Sequence, residues 1–242
     1  DLKESISLLP DSQPDNWRVS KMAAHALLGK VMLFNEKYAE AAAQLQTVID
    51  SNDYRLLNHG SEFNNIWEAS SENGDESIFE IQYTSVEGAG WDCITCSEGT
   101  YMPKFNNPRD PFSNTKYIAG WGFNLPIPPL YEAFKTGDAR RDLTIFDLRT
   151  DSSRSKGRED LGFFTKKYIV HKDNDLDRTG PDPLNFDNNY RSIRYADVLL
   201  MAAEAYEKSG NTSKAESFLN DVRFRAFGNN SQNYTAAEGT LR

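Results

Sequence analysis

The sequence predicts a mainly α-helical fold in which helical hairpins flank a long irregular segment with a few short β-strands. Three observations predict it. Two segments share a helical apolar period and align with each other without a gap. The segment between them is rich in Gly, Pro, Asn and aromatic residues rather than periodic. Within that segment only "SIFEIQY" and "FFTKKYIV" carry strand patterning.

The first hairpin is expected over residues 14–52. Ala24, Leu28 and Met32 share one face, Leu27, Val31 and Phe34 broaden it, and Pro14 stands just ahead of the start. A break at "NEKY" leads to a second run with Ala41, Leu45 and Val48 in phase, ending near "SND". A second hairpin is expected over residues 190–228. It has Ala202, Ala203 and Tyr206 in its first helix, a stop at Gly210, Thr212 or Ser213 as N-cap, and Ala215, Leu219 and Val222 in its second helix. A shift of 174 residues superposes Leu28 on Ala202, Gly29 on Ala203, Met32 on Tyr206, Ala41 on Ala215, Leu45 on Leu219 and Val48 on Val222. These positions match the small-and-large skeleton of a tetratricopeptide unit, in which small residues let two helices approach and larger ones fill the groove.

Residues 76–189 form the irregular, ligand-facing part of the expected single domain. "SIFEIQY" alternates, with Phe79, Ile81 and Tyr83 on the face expected to be buried and Glu80 and Gln82 opposite. "PPLYEAFKTGDARRD" reads as one short helix with Pro at its start and Gly137 at its end. The stretch from Val86 to Pro129 exceeds an idle connection, and long irregular segments usually carry function.

Charge narrows the partners. With 27 Lys plus Arg against 36 Asp plus Glu, the net charge of −9 disfavours nucleic acid and anionic membrane surfaces. No apolar run approaches the roughly 18 residues of a membrane span. The chain opens on Asp1 without the basic and apolar regions of an export signal. The 14 Phe, 11 Tyr and 4 Trp exceed what two hairpins need for packing, so some rings are expected on display.

On these residues and motifs the chain resembles the SusD/RagB family of outer-membrane nutrient-uptake lipoproteins. The resemblance rests on "SKMAAHALLGKVMLF", "ESIFEIQY", "GWGFNLPIPPLYEAFKTGDARRD", "KKY" and "IRYADVLLMAAEAY…AESFLNDVRFRA", in their usual order over most of the chain. It implies a SusD-like α-α superhelix of tetratricopeptide-like hairpins and attachment to the cell surface through a lipidated N-terminal cysteine. It also implies capture of glycans and a partnership with a SusC-like TonB-dependent transporter. Family members are longer at both ends, so the chain is expected to be a fragment that lacks the anchor-bearing N-terminal region and the usual C-terminal end.

Trp91, Tyr101, Phe105, Tyr117, Trp121 and Phe123 fall among Gly, Asn and Pro, where a ring can be a platform for the apolar face of a sugar or a pin that holds the loop down. Packing is the favoured role of both Trp121 and Phe123. Asn106, Asn107 and Arg109 beside them can bond hydroxyls or solvent. The candidate ligand-binding residues are Trp91, Tyr101, Asn106, Arg109 and Trp121.

Enzyme chemistry finds little support. Asp197 and Glu204 lie seven residues apart, roughly 10.5 Å along a helix, against the roughly 5–9.5 Å of glycoside hydrolysis. The i,i+3 pair Arg194–Asp197 and the i,i+4 pair Glu204–Lys208 are the spacings of structural ion pairs. No G-x-S-x-G or H-E-x-x-H motif occurs. "CITC" lacks a βαβ context, and two thiols cannot complete a zinc site without distant His25, His59 or His171, so Cys93 and Cys96 read as a local disulfide or as loop thiols. Asp173, Asp175 and Asp177 start like a calcium loop, but Arg178 replaces the required Gly and Leu184 the bidentate Glu, which leaves at most a looser calcium site. No cofactor is expected. The leading expectation is non-catalytic glycan binding; the alternative is a tetratricopeptide-type protein-interaction module or a peptide-binding relative.

Overall fold

The computed structural model describes residues 1–109, 117–152, 156–157, 159–172, 178–181 and 183–235. In chain order its helices are α1 (Leu2–Leu8), α2 (Lys21–Phe34), α3 (Tyr38–Asp50), α4 (Ser61–Asn64), α5 (Met102–Asn106), α6 (Pro128–Ala133), α7 (Ala139–Thr144), α8 (Tyr195–Lys208) and α9 (Thr212–Phe227). The strands are β1 (Ser77–Ile81), β2 (Ile145–Asp147), β3 (Phe163–Thr165) and β4 (Tyr190–Arg194). The fold is mainly helical. It divides into two compact units, one of Asp1–Ile66, Ser71–Ile81 and the chain from Arg191 on, the other of Trp67–Ser70 and Gln82–Tyr190.

The first unit holds the two long helix pairs. Ala23 and Ala26 of α2, Leu45 and Val48 of α3, Val198 and Ala202 of α8, Ile78 of β1 and Ile193 of β4 form one buried cluster. Small residues allow the helices to close: a Cβ at Gly29 would lie 2.6 Å from Leu45 Cγ, so only glycine fits where α2 crosses α3. Helix α2 starts at the Ser20 cap, whose hydroxyl accepts from the Ala23 N–H, and not near Pro14. Likewise α9 is capped by Asn211, which accepts from the Lys214 N–H, and Thr212 is its first residue.

Strand β1 pairs with β4, and its faces are the reverse of those the alternation predicts: Ile78 and Glu80 are buried while Ile81 is exposed. The reason is electrostatic. Glu80 lies 3.7 Å from Arg191 and accepts from the Asn73 N–H, so a carboxylate occupies the inner face with partners. Glu76 does the same one turn of chain earlier, bonding Arg194 at 3.1 Å, Arg225 at 2.6 Å and the Leu57 N–H at 3.2 Å. At the start of α8 the Asp197 carboxylate accepts from the Arg194 N–H at 2.9 Å and from its guanidinium at 3.3 Å. That ion pair forms as its spacing predicts, whereas Glu204 and Lys208 make no ion pair among the described residues.

In the second unit β2 and β3 pair antiparallel with Phe146 opposite Phe164. "FFTKKYIV" extends as strand only through Thr165. Instead of one helix, "PPLYEAFKTGDARRD" makes α6 and α7, because Asp138 accepts from the Arg140 N–H and starts a new helix. Asp173, Asp175 and Asp177 lie outside the described residues. No described helix is long and apolar enough to cross a membrane.

Candidate functional site: an aromatic cleft

The second unit contains a cleft of about 550 Å³ lined by Tyr83, Gly99, Thr100, Tyr101, Met102, Phe105, Asn106, Phe123 and Asn124, a volume typical of small-molecule sites. One wall is α5. Helix ends leave carbonyls without partners, and here the segment 120–123 supplies them. The Trp121 N–H donates to Lys104 O at 2.7 Å, the Phe123 N–H to Phe105 O at 2.7 Å, and the Gly122 N–H to Asn107 O at 2.9 Å. A Cβ at Gly120 would sit 2.4 Å from Asn107 O, so the close docking of "GWGF" on α5 requires glycine there.

The docking sets the rings. Tyr101 meets Phe105 edge-on at 5.2 Å and 83°, and Phe105 lies 5.8 Å from Phe123 at 31°. Tyr101 and Phe123 are 49% and 47% exposed, so each offers ring surface to the cleft. Trp121 packs on Phe105 at 5.1 Å and on Phe123 at 5.9 Å, and its carbonyl accepts from Arg109 Nε at 2.6 Å. Neither Trp121 nor Arg109 lines the cleft; both brace the rings that do.

The two adjacent asparagines part company. Asn107 is fully buried, and its Nδ2 donates to Ile118 O at 3.0 Å. Asn106 is only 7% exposed, lines the cleft, and makes no side-chain hydrogen bond among the described residues. Its amide keeps contact with solvent at the cleft, where a ligand hydroxyl can take the place of water.

The rest of the surround is held from the other side. Thr100 and Phe186 exchange backbone hydrogen bonds at 2.7 and 3.1 Å next to Tyr101. Asn185, fully buried, donates to Ala89 O at 3.0 Å and accepts from Ser97 Oγ at 3.1 Å, which clamps both ends of the loop that carries Trp91. Within this loop Cys93 and Cys96 form a disulfide with Cα atoms 5.3 Å apart. Trp91 opens the short helical segment that ends at Cys96, two residues ahead of the disulfide, and is 57% exposed and apart from the cleft-lining residues.

Of the sequence candidates, then, Tyr101 and Asn106 come together in the cleft, Trp121 and Arg109 stand behind it, and Trp91 stands on its own turn. Tyr117 is core: it is wedged between Phe146 at 5.5 Å and His171 at 4.8 Å, and burial, then the nearby Glu68 charge, raise its phenol above the ordinary tyrosine range. Met102 and Asn124 line the cleft without having been marked by any periodicity, and Tyr83, which the alternation assigns to a strand face, lies beyond the end of β1 and lines it too.

Residues 141–240 match the model of the SusD family. The chain is 28% identical over 238 residues to SusD-like protein P2 of Formosa agariphila, covering 93% of this chain and 45% of that protein. Its fold superposes with a TM-score of 0.83 and 34% identity on a laminarin-binding SusD-like protein, over 93% of this chain and 52% of the other. The chain belongs to the SusD/RagB family. A further member, surface glycan-binding protein A from Bacteroides thetaiotaomicron in complex with laminarihexaose, superposes on this SusD-family chain with a TM-score of 0.86 at 26% identity. That match covers 97% of this chain and 53% of its own. The chain thus spans about half the length of the relatives it matches.

Proposed function

We propose that this SusD-family chain is the glycan-holding part of a non-catalytic cell-surface binding protein of the outer membrane, one that hands oligosaccharides to a SusC-like TonB-dependent transporter. The observation that carries the reading is the pairing of two half-exposed rings, Tyr101 and Phe123, with the cleft-lining amide of Asn106, which bonds no other group among the described residues. Rings accept the apolar face of a pyranose, and an amide bonds its hydroxyls. Solved relatives named for laminarin or crystallised with laminarihexaose support the same chemistry. Trp91, exposed on its braced turn, adds a contact outside the cleft for longer chains. Binding without bond cleavage fits a site whose lining residues include no carboxylate, imidazole or thiol.

Calorimetric titration with laminarihexaose tests the reading. Binding that is lost in the Tyr101→Ala, Phe123→Ala double variant, with no reducing sugar released, supports it; undiminished binding in that variant refutes the cleft as the site. Co-purification of the full-length protein with a SusC-like transporter tests delivery. A protein-contact reading attaches to a different surface, the outer face of α2, where Leu27, Val31 and Phe34 are exposed.

A further inference from the structure

Resting on that glycan reading, we infer that the cleft selects uncharged glycans whose chain turns from residue to residue, and discriminates against flat and anionic ones. Two independent observations on the lining residues carry the inference.

The first is charge. All nine lining residues are neutral. A uronate or sulfate ester entering the cleft gives up hydration with no lysine or arginine there to replace it, and an ion desolvated without a partner is strongly disfavoured. The chain's net charge of −9 adds long-range repulsion toward a polyanion. A neutral sugar faces neither cost, since its hydroxyls exchange water for the amides of Asn106 and Asn124.

The second is the attitude of the rings. Phe105 stands at 83° to Tyr101 and is tilted by only 31° from Phe123, so the planes of the two exposed rings differ by at least 83 − 31 = 52°. A pyranose binds an aromatic ring by laying its apolar face over it. A ribbon whose sugar faces run along one plane, as in β-1,4-linked glucose, satisfies Tyr101 or Phe123 but not both. A chain that rotates between residues, as in β-1,3-linked glucose, presents one face to each ring. The braces make this angle a fixed property of the cleft: the backbone of 120–123 is hydrogen-bonded to α5, and Trp121 packs behind Phe105 and Phe123.

Three ligands of equal length separate the terms: laminarihexaose, cellohexaose of identical composition but β-1,4 linkage, and a hexamer of uronic acid. The expected ranking by calorimetry is laminarihexaose first, cellohexaose about tenfold weaker, the loss that one anchoring ring contact carries, and the uronate hexamer below detection. Affinity for laminarihexaose is expected to stay constant as salt rises, because no charge pair forms. Tyr101→Ala and Phe123→Ala, both at half-exposed positions that leave the core intact, are each expected to bring laminarihexaose down to the level of cellohexaose. Equal or tighter binding of cellohexaose, binding of the uronate hexamer, or a preference that survives both substitutions overturns the selection rule and leaves glycan binding standing. Failure of all three ligands takes down the glycan reading and the rule together.

Discussion

Asn106 and Asn107 are neighbours of identical chemistry that the structure assigns to opposite tasks, and replacing each by alanine separates them. Asn107→Ala removes the donor that Ile118 O uses at 3.0 Å. A buried carbonyl left without its partner costs about 1–3 kcal/mol. Asn107 Oδ1 has no partner of its own, so its deletion recovers part of that loss and the net destabilisation is about 1–2 kcal/mol. Asn106→Ala deletes a solvent-touching amide that bonds nothing among the described residues; stability stays within about 0.5 kcal/mol. Ligand binding moves the other way. One neutral hydrogen bond is worth about 0.5–1.5 kcal/mol, so laminarihexaose affinity falls roughly three- to tenfold in Asn106→Ala and stays unchanged in folded Asn107→Ala. Urea denaturation and calorimetry on the two variants read both quantities. If Asn106→Ala loses stability as Asn107→Ala does while keeping full affinity, the cleft is not where the ligand bonds.

Other substitutions probe the supports. Gly29→Ala drives a methyl to within 2.6 Å of the fully buried Leu45; overpacking of about 1–3 kcal/mol exceeds the helix-propensity gain of about 1 kcal/mol, so the melting temperature drops, and an unchanged or higher value refutes the close crossing of α2 and α3. Trp91→Ala is expected to weaken binding of polymeric laminarin but not of a trisaccharide too short to leave the cleft, and the Cys93→Ser, Cys96→Ser double variant to reproduce that pattern in part by loosening the turn; equal losses for both ligands would place Trp91 in the cleft. The hydrogen bond from Arg149 holds the Asp147 carboxyl below the usual carboxylate range. Its contribution is therefore present above the unfolded pKa of about 3.9 and is lost as pH falls through the lower folded value. Both side chains are partly exposed, so Asp147→Asn shallows the acid-unfolding profile by only a few tenths of a kcal/mol.

The helices were legible because their signal is local and repeated. The gapless superposition of Leu45 on Leu219 and Val48 on Val222 marks positions that lie within α3 and α9. What escaped was set by partners distant in sequence. Alternation put Glu80 outside, yet Arg191, more than a hundred residues on, draws it inward, and Glu76 is buried between Arg194 and Arg225 for the same reason. Capping chemistry displaced two helix starts: Ser20 and Asn211 hold side-chain bonds that Pro14 and Thr212 do not. Composition pointed to the segment that lines the cleft but not to the faces that line it. Packing is the favoured reading of both Trp121 and Phe123. The hydrogen bonds of "GWGF" to the end of α5 place Trp121 behind the rings, as packing requires, but leave Phe123 half exposed. The contrast between Asn106 and Asn107 depends on which way one short helix is turned, which no spacing in the sequence encodes.

The most direct test of the account follows amide and aromatic NMR resonances of the intact chain while laminarihexaose is added. The account predicts saturable shifts centred on Tyr101, Asn106, Phe123 and Asn124, with the α2–α3 pair silent. Shifts confined to the helix pairs, or none at all at saturating sugar, would contradict it.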